Sequence, residues 1–252
     1  MTDSKKILKK LNVPQSSYIE RDFPFKVLSK TMTSKEKKQF SKDVESRGVR
    51  LLAVLKRETS NVLPYEDERV RYEEVHIFQV KLFSGREAAM KRVYHVLSSK
   101  IPYPLIIRFI TETENETSWV AATHRKSLKD QNLLMEELYF AHTNEKEEDF
   151  LERINFEKLN RHTLKDIYES IIREINAFTL TTQYKVNVDE KDMSNEEIIE
   201  SLDQLKQLDE EIEKYVNLAK KEQQLNRRIE YQMKATELKN KKSDILKKSK
   251  LP

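Results

Sequence analysis

From Leu105 to Leu251 the sequence contains neither glycine nor proline. Glycine reaches left-handed backbone conformations and proline lacks an N–H, so the two punctuate most turns and helix ends. Their absence over such a tract predicts long helices in the second half of the chain. The two glycines are Gly48 and Gly85, and every proline except Pro252 lies at or before Pro104. Strands and turns are therefore expected mainly in the first half. The chain has 252 residues, of which 36% are charged and 37% apolar. That suffices for one core but not for burial along the whole length, so a medium domain with a solvated helical appendage is expected.

Within the first half, Thr33 with Glu36 fits a capping box, and Phe40 and Val44 are four apart. Thr33 to Ser46 thus reads as a short amphipathic helix that Gly48 ends. Val49 to Lys56 reads as a buried strand and Tyr72 to Phe83 as a second, with His76, Phe78, Val80 and Leu82 on one face. After Ser84 and Gly85 comes a helix from Arg86 to Ser99 whose Met90, Val93, Tyr94 and Leu97 follow helical spacing. Ile101 to Pro104 is an extended lead-in. Leu105 to Thr111 and Ser118 to His124 read as a hairpin, and Leu138 to Ala141 as a further short strand. Thr163 caps a helix carrying the stripe Ile167, Ile171, Ile172 and Ile175. The fold class expected is α+β: a small mixed sheet of about four to five strands with packed helices, then a long C-terminal helical segment. The domain reading is an N-terminal arm (1–30), a core (31–178), a connector (179–193) and a charged helical segment (194–250).

Ser194 is a good cap for that last segment. Leu205, Leu208, Ile212, Tyr215 and Ala219 follow the 3, 4, 3, 4 spacing of a heptad seam, and the same register continues through Asn226, Ile229 and Met233. Charge is segregated along it. Asp192 to Glu213 holds nine acidic residues and one lysine, whereas Lys214 to Pro252 holds twelve basic and four acidic ones. Antiparallel pairing matches the two halves, either as a hairpin within one chain or as a dimer. The alternatives are that the basic half meets a partner, or that the segment is a solvated helix packed on the core. A continuous helix from Ser194 to Lys250 would be about 85 Å long, a hairpin about half that.

Chemistry is constrained by what the chain lacks. Without cysteine there are no disulfides, thiolate metal sites or cysteine nucleophiles, which fits a reducing, cytoplasmic setting. Two separated glycines exclude a glycine-rich phosphate loop and a dinucleotide fingerprint. Met1 to Leu11 lacks the apolar run of a signal peptide, and no stretch approaches the roughly 20 apolar residues of a membrane span. His76, His95, His124, His142 and His162 show no paired metal spacing. Gln79-Val80-Lys81 is similar to the strand tripeptide of metal-dependent nucleases, carboxylate-x-lysine, but a glutamine stands where the metal ligand belongs. Glu58, Asp67 or Glu68 are the candidates for an upstream ligand. Tyr103 and Trp119, near Arg108, Arg125 and Lys126, have two readings, as stacking platforms for nucleobases or as packing residues. Lys220, Lys221, Arg227 and Arg228 are the better candidates for phosphate contact, which needs charge rather than precise shape. No catalytic residue, cofactor or metal ligand set is assigned.

Glu73 to Leu82 (EEVHIFQVKL), Ile101 to Phe109 (IPYPLIIRF), the Trp119 strand and Lys221 to Met233 (KEQQLNRRIEYQM) together resemble a bacterial domain-of-unknown-function family over roughly Lys30 to Leu246. The resemblance implies association with DNA methyltransferases and helicase-type restriction subunits, in restriction-modification or antiphage defence, and carries no catalytic residue. Gln79 and Lys81 depart from it where acidic residues are expected. The leading expectation is a non-catalytic interaction component that docks through its C-terminal helices onto a protein partner or a second copy. The alternatives are a nucleic-acid-binding module using the basic C-terminal half, and a divalent-metal nuclease centred on strand 75–82.

Overall fold

The computed structural model of the chain describes residues 3–30, 32–111, 116–127, 133–188 and 193–248. The chain divides into two compact units, Met1–Ile175 and Asn176–Pro252. The first contains α1 (Asp3–Leu11), β1 (Tyr18–Asp22), α2 (Phe25–Ser29), α3 (Ser34–Asp43), β2 (Val44–Lys56) and α4 (Arg57–Ser60). It continues with β3 (Tyr65–Glu66), β4 (Arg71–Tyr72), β5 (Glu74–Leu82), α5 (Glu87–Ser98), β6 (Leu105–Thr111), β7 (Glu116–Lys126), β8 (Leu133–His142) and α6 (Glu147–Arg153). Then α7 (Leu164–Gln183) runs across the boundary, and α8 (Asn195–Lys221) and α9 (Leu225–Lys248) belong to the second unit.

The main sheet has six strands in the order β1-β2-β5-β6-β7-β8, rather than the four to five expected. Only β5 and β6 are parallel, joined through α5 as a parallel pair requires. The unexpected strand is β1, which lies in residues read as an N-terminal arm. It pairs with β2 at the sheet edge and is largely exposed, so it carries no apolar run to betray it. The rest of that stretch is also built into the unit, because α1 buries Ile7, Leu8 and Leu11.

Thr33 forms the expected capping box. Its hydroxyl accepts the Glu36 N–H at 3.2 Å, and the Glu36 carboxylate accepts the Thr33 N–H at 2.6 Å. The helix stops at Asp43, before Ser46, because Val44 already pairs with Leu82 of β5. Gly48 therefore sits in β2 and not at a helix end, where the register against β5 shifts between Val44 and Val49. A Cβ there would lie 2.8 Å from the Glu45 carbonyl oxygen and 2.9 Å from that of Lys81, so only glycine fits. Elsewhere asparagine replaces glycine in left-handed turns, at Asn12, Asn61 and Asn144.

One sheet face, with Phe78, Val80, Leu82, Leu105, Ile107, Phe109 and Val120, packs with Met90, Val93, Tyr94 and Leu97 of α5 and Phe40 of α3. Those α5 positions recur every three or four residues, which turns one helix face to the sheet. The stripe Ile167, Ile171, Ile172 and Ile175 of α7 is buried, and the Tyr168 hydroxyl beside it bonds the Leu105 and Ala122 carbonyls at 3.0 and 2.9 Å. In the second unit, residues read as a connector supply Leu180, Tyr184, Val186 and Val188 to a core completed by Ile198, Leu202 and Leu205. Among the described residues no helix is long and apolar enough to cross a membrane.

Candidate functional site

The two long helices form an antiparallel hairpin. Ser194 caps α8 through a reciprocal pair with Glu197, N–H to carboxylate at 2.8 Å and N–H to hydroxyl at 3.2 Å. The turn at its far end uses neither glycine nor proline. Glu222 adopts an extended conformation (φ −77°, ψ 128°) while its N–H still donates to the Leu218 carbonyl at 3.0 Å. Its carboxylate accepts the Gln224 N–H at 2.9 Å, and the Gln224 carbonyl accepts from Arg228 at 3.0 Å to start α9. A glutamate side chain thus satisfies a backbone donor that a helix terminus leaves unpaired. Returning, α9 sets Tyr231 beside Tyr215 with ring centroids 6.3 Å apart, and Lys242 in an ion pair with Asp209. The expected match of a basic half to an acidic half is thus realised within one chain at this pair. The Asp209 carboxylate also accepts the Tyr184 hydroxyl at 3.1 Å.

Of the residues read as one pairing seam, Leu205, Leu208 and Ala219 are buried and Ile212 and Tyr215 half-buried. Asn226, Ile229 and Met233 do not join them: all three are exposed, Ile229 at 44% and Met233 at 68%. The break at 222–224 restarts the helix in a different phase, so a register carried across it fails. The inward face of α9 consists instead of Tyr231, Ala235, Leu238, Lys242 and Ile245, again spaced 4, 3, 4, 3. This leaves Leu225, Ile229 and Met233, four apart, on the opposite side of the helix. Leu225 is 58% exposed, and Leu218 near the end of α8 is 37% exposed.

Lys220, Lys221, Arg227 and Arg228 flank the turn and are all exposed. The ion pairs found among the described residues involve none of them. The turn therefore gathers four cationic groups and an apolar stripe at one end of the hairpin.

The strand candidates meet a different fate. Gln79, Arg108 and Trp119 are register neighbours across β5, β6 and β7. Arg108 is 5% exposed and donates to Gln79 Oε1 at 2.7 Å, to both oxygens of Glu147 at 2.7 Å, and to Asp3 at 2.8 Å. The indole N–H of Trp119 donates to Glu147 at 2.9 Å, and its ring lies 5.9 Å from Phe150. Trp119 is fully buried, which suits packing rather than nucleobase stacking. Tyr103 stacks on His76 at 4.9 Å. Gln79, Glu147 and Asp3 are thus joined through buried Arg108 in a network that ties α1 and α6 to the sheet. Of the proposed upstream ligands, Asp67 serves a turn, accepting the Arg69 and Val70 N–H groups at 2.7 Å, which holds its carboxyl below the usual range. Glu58 and Glu68 are exposed. Among the described residues no group of three or more histidine, aspartate or glutamate side chains converges to hold a metal ion.

Sequence reasoning did not find this network, because its members lie on five separate elements. The local hint was Arg108 at the centre of a strand, Leu105–Thr111, that is otherwise apolar as far as Ile110.

The model of a family described as a domain of unknown function, DUF4391, matches residues 11–243, so the chain belongs to that family. No curated protein and no solved structure matches it.

Proposed function

We propose that this member of the DUF4391 family is a non-catalytic interaction component that docks through the α8–α9 hairpin onto a larger assembly. One observation carries the reading: Leu225, Ile229 and Met233 are exposed at four-residue spacing, although the hairpin already has a complete inward face. An exposed apolar row bordered by charge is the form that helix-in-groove recognition takes. The sequence resemblance suggests a cytoplasmic restriction-modification or antiphage defence subunit as the partner, with a second copy as the other candidate. The test is affinity purification of the tagged chain from its source cells, alongside the double variant Ile229→Glu, Met233→Glu. A stoichiometric partner retained by the unmodified chain and lost from the folded variant supports the reading. Recovery of the same partner by both forms sinks it.

A second reading has its own support, since Lys220, Lys221, Arg227 and Arg228 border one turn without ion-pair partners among the described residues. In it, the tip contacts nucleic-acid phosphates. Four such contacts give a log–log salt slope of about −3 to −4, which Arg227→Glu with Arg228→Glu should roughly halve. Binding that ignores salt would exclude it. The nuclease alternative has no comparable support, because Gln79 is neutral and bonded to Arg108. It requires metal-dependent DNA cleavage that disappears on Lys81→Ala.

A further inference from the structure

We infer that the outward face of α9 is a self-association surface that takes α9 of a second copy of this chain in parallel orientation. This rests on the docking reading above and names its partner.

Within α9 itself, Asn226, Ile229, Met233, Thr236 and Asn240 recur at 3, 4, 3, 4 spacing and form one central row, and all five are exposed. That row lies opposite the inward face of the hairpin, so α9 bears two seams, of which the fold uses one. One flank of the free seam is Glu230, Glu237 and Asp244, and the other is Leu225, Gln232 and Lys239. These flanks decide orientation.

When identical helices pair antiparallel, like flanks meet, which here sets three carboxylates against three. When they pair parallel, unlike flanks meet, each residue facing the one five positions ahead on its neighbour. Leu225 then faces Glu230 of the second copy, Gln232 faces Glu237, and Lys239 faces Asp244. The parallel arrangement alone avoids the carboxylate clash and brings a cation to an anion. Asn226 and Asn240 also meet their own counterparts only in register and in parallel. Asparagine at that position of a parallel pair can bond its counterpart, fixing register at some loss of stability. Two apolar layers, Ile229 and Met233, between polar ones make a short seam, so the association is expected to be weak and reversible.

The chain has no cysteine, so a single introduced thiol reports on orientation without background. The experiment uses the full chain: sedimentation equilibrium from micromolar to millimolar concentration, and disulfide formation in Asn226→Cys, Asn240→Cys and their mixture. The expected result is a reversible dimer in which each variant cross-links to itself and mixed 226–240 products are scarce. Lys239→Glu should weaken the dimer several-fold, and adding Asp244→Lys should restore it. A chain that stays monomeric, or whose mixture yields chiefly 226–240 products, overturns the inference. If it stays monomeric while Ile229→Glu, Met233→Glu still abolishes partner capture, the docking reading survives alone. A parallel dimer beside partner capture that this variant leaves intact would keep the self-association and discard the docking reading.

Discussion

His124 on β7 is 5% exposed, its ring lies 6.0 Å from that of Tyr168, and neither ring nitrogen has a hydrogen-bond partner. Burial disfavours the charged form and pushes its pKa down from 6.5 to about 4, the Ala122 backbone acting in the opposite sense. The unfolded chain therefore takes up this proton first as pH falls. The stability associated with a neutral His124 is complete above about 6.5 and is lost as pH drops toward 4, a loss on the order of 3 kcal/mol. Urea denaturation at pH 7 and pH 4.5 checks this: His124→Leu should lose less stability between the two than the unmodified chain, and an equal loss would refute it. Lys185 offers a second residue-scale test. It follows α7 with φ of 60°, a conformation that costs a side chain about 1 kcal/mol or more and that glycine adopts freely. Lys185→Gly should raise the thermal midpoint by a few degrees, against the usual penalty of adding glycine. An unchanged or lower midpoint would mean that its bond to the Thr182 carbonyl, 2.9 Å, outweighs the strain. Neither residue was conspicuous in the sequence, since burial and a positive φ are properties of the folded chain.

At the scale of elements, the two faces of α9 should respond in opposite ways. Leu238 is 6% exposed on the inward face, so Leu238→Ala should destabilise the hairpin by about 2–3 kcal/mol, while Ile229→Ala should cost under about 0.5 kcal/mol. Helical circular dichroism during chemical denaturation reads both, and equal effects would contradict the assignment of faces. The row across β5, β6 and β7 gives a sharper case. Arg108→Ala leaves the Glu147 carboxylate, at 14% side-chain exposure, without its cationic partner and with only the Trp119 N–H to bond it, and the loss expected is about 3–5 kcal/mol. Arg108→Met with Glu147→Leu and Gln79→Leu should recover part of it, because an apolar replacement leaves no buried charge unpaired, although the buried Trp119 N–H loses its acceptor. Element type and position were legible where periodicity was strong. Thr33, Thr163 and Ser194 announced three helices, and α5 and β6 fall within a residue of their expected bounds. The edge strand β1 was illegible because an exposed edge needs no apolar alternation.

At the scale of the whole molecule, each unit has its own buried core, and Trp119, the single tryptophan, belongs to the first. Tryptophan fluorescence therefore reports the first unit, whereas helical circular dichroism reports both. Leu238→Ala should move the dichroism transition and leave the fluorescence midpoint in place; a matched shift in both would mean that the units unfold as one. The sequence by itself determined a mixed α/β part followed by long C-terminal helices, although β6, β7 and β8 all lie in the glycine- and proline-free tract that pointed to helix. Glycine and proline usage, caps and apolar spacing act over a few residues and need no knowledge of what lies across the core. It also supplied the charge segregation that suits a helix hairpin. Only the tertiary structure decided where the hairpin turns, which face of α9 is spent inside it, and that Gln79, Arg108, Trp119, Glu147 and Asp3 meet. A turn built by a glutamate side chain resets helical phase without any punctuating residue, and contacts between distant elements depend on packing that no local pattern encodes.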